Sequence, residues 1–177
     1  MDWTRYYDSP LGLLVLESDG EALTGVRFVD REPSSGASGA WGRALPVFDA
    51  AVRWLDIYFS GSDPGFTPPL NMRTTPFRKR VWELMLKIPY GETATYGDLA
   101  RVIAGERGLA RMSAQAVGGA VGHNAIPVII PCHRVVGAGG DLTGYGGGMA
   151  RKVRLLALEG VDMTKFFVPS GKDGVVK

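Results

Sequence analysis

The stretch that most constrains this chain is residues 126–136, IPVIIPCHRVV. It holds the single cysteine, Cys132, with one of the two histidines, His133, directly after it. Val128, Ile129 and Ile130 are apolar and β-branched, which reads as a short buried strand. Pro131 has no N–H to give to a ladder and ends that strand. Successive side chains on a strand point to opposite faces, so Cys132 and His133 could not cooperate if the strand continued. A turn at Pro131 lets thiol and imidazole approach one space, directly or through a water. A lone cysteine is ordinarily a small buried hydrophobe. Beside His, after Pro and before Arg134, it reads instead as a candidate nucleophile.

A chain of 177 residues holds one medium domain or two small ones. One cysteine permits no internal disulfide, and with two histidines there is no zinc-cluster pattern. A reducing cytoplasm, where a free thiolate survives, is therefore expected. No apolar run approaches the roughly 20 residues of a membrane helix, and the start, MDWTRYY, lacks a signal-peptide pattern. The net charge of +2 hides a split. Residues 1–70 carry five Lys/Arg against ten Asp/Glu, a net of −5, and residues 71–177 carry fifteen against eight, a net of +7. The expected division is a small α/β part over 1–70, a basic part suited to a polyanion over 71–165, and a tail over 166–177.

In the first part, 3–7, 13–18 and 22–29 read as strands, the last two joined by a turn at Asp19-Gly20. Residues 30–45 mix Gly, Ser, Pro and charge, as a surface loop does. Pro46 opens a helix to about Phe59 with Val47, Ala51, Leu55 and Tyr58 on one face. In the second part, Thr75 and Pro76 start a helix whose Phe77, Val81, Leu84, Met85 and Ile88 recur at helical spacing. Thr95 and Asp98 form a capping-box pattern that opens a helix to about Ala104. Ser113 caps another helix over 114–121. Two short helices across a turn make a helix-turn-helix candidate. The second of them, with Ala114, Ala116, Gly118, Gly119 and Ala120, lacks bulk on one side, at a cost of roughly 2 kcal/mol of helix propensity for its two glycines. Close approach to another backbone offsets that loss, whether a neighbouring helix or the wall of a minor groove about 6 Å wide. A last helix over 149–158 presents Val153, Leu156 and Ala157 to the core. Glu159 follows at its C-terminus, where the macrodipole disfavours a negative charge.

The sequence Pro131-Cys132-His133-Arg134-Val135 resembles the active-site signature of the O6-alkylguanine-DNA alkyltransferases, also called methylated-DNA–protein-cysteine methyltransferases. The resemblance runs over about residues 75–160, through PYGETATYG at 89–97, AVGGA at 116–120, GYGGG at 144–148 and LLALEG at 155–160. It implies a ribonuclease H-like first domain (a small antiparallel sheet plus helix) and a mostly α, winged-helix-like second domain with a helix-turn-helix. It also implies DNA repair: one alkyl group passes from O6 of guanine, or O4 of thymine, to Cys132 without turnover. The catalytic set carried over is Cys132, His133, Glu159, Asn124 and Tyr96. His133, polarised by Glu159, takes the thiol proton through a water, Asn124 braces the turn, and the Tyr96 hydroxyl meets the departing base. Substrate contacts fall to Val135, Tyr145, Gly146 and Lys152. DNA contacts fall to Thr95, Tyr96, Ser113, Ala114, Gln115, Ala116, Gly118, Gly119 and Arg134.

The implied partner is double-stranded DNA, entered through the minor groove with the damaged base flipped out. A monomer with no cofactor, no metal and no membrane contact is expected. Many relatives fill the vacated stack with Arg, where this chain has Gln115. Relatives that bind lesions without reacting replace the active cysteine, and Cys132 is present here. A cycling thiol hydrolase would leave the small-residue helix and the basic half unexplained.

Overall fold

The computed structural model describes residues 2–30, 40–41 and 44–169. Most of the loop expected over 30–45 and the end of the expected tail, 170–177, lie outside the described residues. The chain divides into two units, Met1–Arg73 and Thr74–Lys177.

In the first unit, β1 (Trp3–Ser9), β2 (Gly12–Ser18) and β3 (Leu23–Val29) form an antiparallel meander, with the two-residue β4 (Ala40–Trp41) added parallel to β1. The sheet order is β3-β2-β1-β4. Central β2 departs from simple alternation: Leu14, Val15 and Leu16 are all fully buried. Helix α1 (Pro46–Phe59) packs on β1 and β2 through Val47, Phe48, Ala51, Trp54, Leu55 and Tyr58. Leu70 bridges to Leu23, and the Asn71 N–H donates to the Leu23 carbonyl, which keeps residues 70–73 with this unit.

The second unit is mostly helical, and three of its helices start at the expected caps. Thr75 accepts from the Arg78 N–H at the head of α2 (Pro76–Met85). Thr95 and Asp98 form the complete capping box of α3 (Tyr96–Glu106). Ser113 accepts from the Ala116 N–H at the head of α4 (Ala114–Gly122). Each such cap contributes on the order of 1 kcal/mol. Helices α3 and α4 are the helix-turn-helix pair; α4 packs on both α3 and α2, and Val81, Met85, Ile103, Val117 and Val121 on these helices are buried. The Trp82 indole N–H donates to the Ala120 carbonyl and ties α2 to α4.

Two expectations fail here. Residues 128–130 are not a strand but part of a tight turn, in which the Ile130 N–H donates to the Ile126 carbonyl. Val128 sits in it at φ 72°, a left-handed conformation that costs a β-branched residue on the order of 1–3 kcal/mol. Complete burial of Val128 and Ile130 offsets that cost at roughly 2 kcal/mol per side chain. The only strand in this region is β6 (Val135–Val136), which pairs in parallel with β5 (Ala94–Thr95). On α5 (Met149–Leu158), Ala157 is exposed, and the core face is Met149, Lys152, Leu155 and Leu156. A buried lysine there is hidden from periodicity, which reads Lys as solvated. Phe167, in the expected tail, bridges Asp141, and its N–H donates to the Gly140 carbonyl. Among the described residues no helix is long and apolar enough to cross a membrane.

Candidate active site

The β5–β6 pairing sets the site's geometry, because Tyr96 follows β5 directly and Cys132 lies one short turn before β6. Cys132, His133 and Arg134 form a 3₁₀ turn, which turns consecutive side chains away from the opposite-face arrangement of a strand. Asn124 braces the loop before it. Its Nδ2 donates to the Ile130 carbonyl at 2.8 Å, and its Oδ1 accepts from the Ile126 N–H at 3.0 Å.

His133 is fully buried, and its Nε2 lies 2.6 Å from Glu159 Oε1. Glu159, at the end of α5, is buried rather than a frayed surface residue. Its carboxylate also accepts from Arg134 Nε at 2.9 Å, Arg134 Nη2 at 3.1 Å and the Gly91 N–H at 3.1 Å. Arg134 Nη1 donates to the Ile88 carbonyl at 2.7 Å, and the guanidinium lies over the Tyr90 ring. Arg134, expected among the DNA contacts, is turned toward this carboxylate. It is 7% exposed, and its donors are drawn inward by a carboxylate and a carbonyl that burial would otherwise leave unpaired.

Burial pushes the Cys132 thiol up, against a hydrogen bond from Asn124 and the positive charge of Lys152, so at neutral pH the sulfur rests as a thiol. Burial also lowers the His133 pKa; Glu159 opposes this, while Arg134 and Lys152 add to it. The imidazole is therefore neutral at neutral pH and can accept a proton. Burial alone would raise the Glu159 pKa, but the hydrogen bonds and charges of His133 and Arg134 together lower it to about 2. Thiol, neutral imidazole and carboxylate are the resting states that base-assisted activation of a cysteine needs.

Across from this group, the Tyr96 hydroxyl donates to the Thr143 carbonyl at 2.8 Å. Burial, then the nearby Cys132 and Asp141, raise its pKa to about 12, so it stays a proton donor. Lys152 is fully buried, and its Nζ donates to the Val135 carbonyl at 2.7 Å and to the same Thr143 carbonyl at 3.2 Å. Burial lowers its pKa to about 8, with Cys132 and Asp141 pulling the other way. Gly144, at φ 75°, could not become alanine easily, since a Cβ would stand 3.2 Å from the Tyr96 hydroxyl. Tyr145 is half-buried with its hydroxyl enclosed, and Gly146 beside it is exposed.

On α4, Ser113, Ala114, Gln115, Ala116 and Gly119 are exposed, and Gly118 is half-covered by the Tyr96 ring. A Cβ at Gly119 would meet nothing within 4 Å, so no neighbouring helix accounts for that glycine. The Thr95 and Ser113 hydroxyls both accept in helix caps. Sequence reasoning missed the Arg134–Glu159 pair, although two signals pointed to it. Arg134 is a charge inside an apolar run, and Glu159 is an acid at the wrong end of a helix. Asp141 and the Thr143 carbonyl carried no signal, since a loop's backbone groups acquire roles only from the fold.

Both units have counterparts among known proteins. Residues 76–161 match the DNA binding domain of 6-O-methylguanine DNA methyltransferase, and residues 3–72 match its ribonuclease-like domain. The methylated-DNA–protein-cysteine methyltransferase of Mycolicibacterium paratuberculosis is 47% identical over 155 residues, covering 88% of this chain and 90% of that protein. The crystal structure of Mycobacterium tuberculosis O6-methylguanine methyltransferase is similar at a TM-score of 0.73 and 45% identity, over 90% of this chain and 93% of that one. That of Mycobacterium tuberculosis OGT in complex with DNA is similar at a TM-score of 0.73 and 43% identity, over 92% and 94%. The chain belongs to the 6-O-methylguanine DNA methyltransferase family.

Proposed function

We propose that this protein repairs alkylated DNA by moving one alkyl group from O6 of guanine, or from O4 of thymine, to Sγ of Cys132. The observation that carries the reading is the buried His133–Glu159 pair beside a buried, unionised cysteine. Glu159 holds Nε2, so Nδ1 is the nitrogen that takes the thiol proton, through a water. The sulfur then attacks the alkyl carbon, the carbon–O6 bond breaks, and its electron pair stays on guanine. The Tyr96 O–H turns from the Thr143 carbonyl to a ring nitrogen of the departing base and meets that charge. The Gly146 N–H faces O6, and the carbonyls of Cys132 and Val135 accept from the exocyclic amine. Lys152 holds the Val135 carbonyl in place, and the Tyr145 ring walls the pocket.

The thioether product has no second nucleophile to release it, so each molecule reacts once. Titrating the protein with duplex DNA that carries O6-methylguanine tests this: transfer stops at one methyl per molecule. Continued release of methyl groups contradicts it.

Work is divided between the units. The second, expected over 71–165, binds double-stranded DNA and accepts the alkyl group; the first, expected over 1–70, is the ribonuclease H-like part. The exposed face of α4 enters the minor groove, where its lack of bulk fits a narrow space. The protein acts as a monomer in the cytoplasm without a cofactor. Gly119→Ala separates stability from binding. With open space at its Cβ, alanine stabilises α4 by about 0.5–1 kcal/mol. Affinity for duplex DNA nevertheless falls several-fold. Unchanged affinity would turn this face away from DNA.

Gln115 opposes return of the flipped base, touching no reacting atom. Gln115→Ala slows repair of duplex DNA about tenfold while transfer from free O6-benzylguanine stays within about twofold. Gln115→Arg keeps duplex repair, since a guanidinium stacks on neighbouring bases. Equal losses on both substrates would assign Gln115 to the pocket.

A further inference from the structure

Arg134 follows the reacting pair in sequence and is drawn toward Glu159. Its Nε and Nη2 hold the Glu159 carboxylate, its Nη1 is anchored on the Ile88 carbonyl, and Tyr90 covers the guanidinium. We infer that Arg134 is a positioning residue for alkyl transfer, fixing Glu159 against His133 Nε2 and offsetting its charge so that His133 rests as a neutral base. This rests on the reading of Cys132 as alkyl acceptor.

A buried imidazole facing a lone carboxylate holds a proton to complete the pair, and an imidazolium cannot take one from a thiol. Arg134 supplies the carboxylate's counter-charge instead, so the pair needs no second proton. Among the described residues, Lys152 on α5 also acts on His133 and disfavours imidazolium. Its Nζ is held by the Val135 and Thr143 carbonyls, not by Glu159, and it cannot substitute for Arg134 in orienting the acid. Cys132, the sequence neighbour of His133, carries no charge at rest.

The test is the pH profile of transfer from free O6-benzylguanine, a substrate that needs no DNA contact. In Arg134→Met the acid limb moves up by about one pH unit. Transfer at pH 6 then falls about tenfold, and the rates at pH 9 lie within about twofold of wild type. Duplex DNA affinity stays within about twofold, because Arg134 is not on the groove face. Arg134→Lys keeps the charge and leaves the acid limb at its wild-type position while lowering the rate evenly. If Arg134→Met does not fold, Arg134→Lys decides alone, and an acid limb shifted by a full unit in it overturns the inference. An unmoved acid limb in a folded Arg134→Met variant also overturns it. No transfer by the wild-type protein refutes the acceptor reading itself, whereas wild-type transfer with an unmoved limb in Arg134→Met refutes only the role of Arg134.

Discussion

Cys132→Ser abolishes alkyl transfer at every pH while the protein still folds and binds duplex DNA with wild-type affinity. A hydroxyl is a weak nucleophile at its free pKa, and the His133 base is matched to a thiol, not to an alcohol. The fold tolerates the change because the two side chains are similar in size and Asn124 offers the buried group a hydrogen bond. The stability cost is about 1–2 kcal/mol for a buried, partly satisfied hydroxyl. DNA affinity is unaffected because Cys132 is 5% exposed, whereas the face of α4 proposed to meet DNA is open to solvent. A rate assay with labelled O6-methylguanine DNA and a binding titration check both halves. Residual transfer by the serine variant would move the acceptor elsewhere.

Glu159→Gln damages both chemistry and stability. A neutral amide no longer polarises His133, and transfer at pH 7 falls about 10²-fold, within the range that base catalysis contributes. The loss is smaller at pH 9, where the thiol ionises with less help. The same change leaves the Arg134 cation buried without its counter-charge, at a cost of roughly 3–5 kcal/mol. Wild-type stability carries a matching pH signature. The Glu159 carboxyl is depressed from 4.5 to about 2, so its contribution is complete above the ordinary value and lost as pH falls through about 2. That acid-side dependence is reduced in Glu159→Gln. Urea unfolding at several pH values and transfer rates at pH 7 and 9 measure these effects. Equal losses at both pH values would leave Glu159 with a structural role alone.

The legible parts of this protein are the local ones. Thr75, Thr95 with Asp98, and Ser113 each announce a helix start because a cap depends on residues within one turn. Helix α1 runs from Pro46 to Phe59 as the proline and the apolar spacing require. The turn at Val128 was not legible: β-branched residues favour extended backbone, and this one is held at positive φ by its burial, the Ile130–Ile126 hydrogen bond and the Asn124 brace. Nor was the burial of Lys152, which depends on two carbonyls brought together by the β5–β6 pairing and the loop through Thr143. The inward pairing of Arg134 was hidden for the same reason. Its partner lies 25 residues away, and a basic residue next to a candidate nucleophile reads equally well as a phosphate contact.

On the proposed function, Cys132 is the terminal acceptor of the alkyl group. Intact mass after incubation with duplex DNA containing O6-methylguanine, followed by peptide mapping, tests it most directly. The expected result is a gain of one methyl in place of one hydrogen, found on the peptide that contains Cys132 and stable on further incubation. An unchanged mass, or a methyl mapped to any other residue, would contradict it.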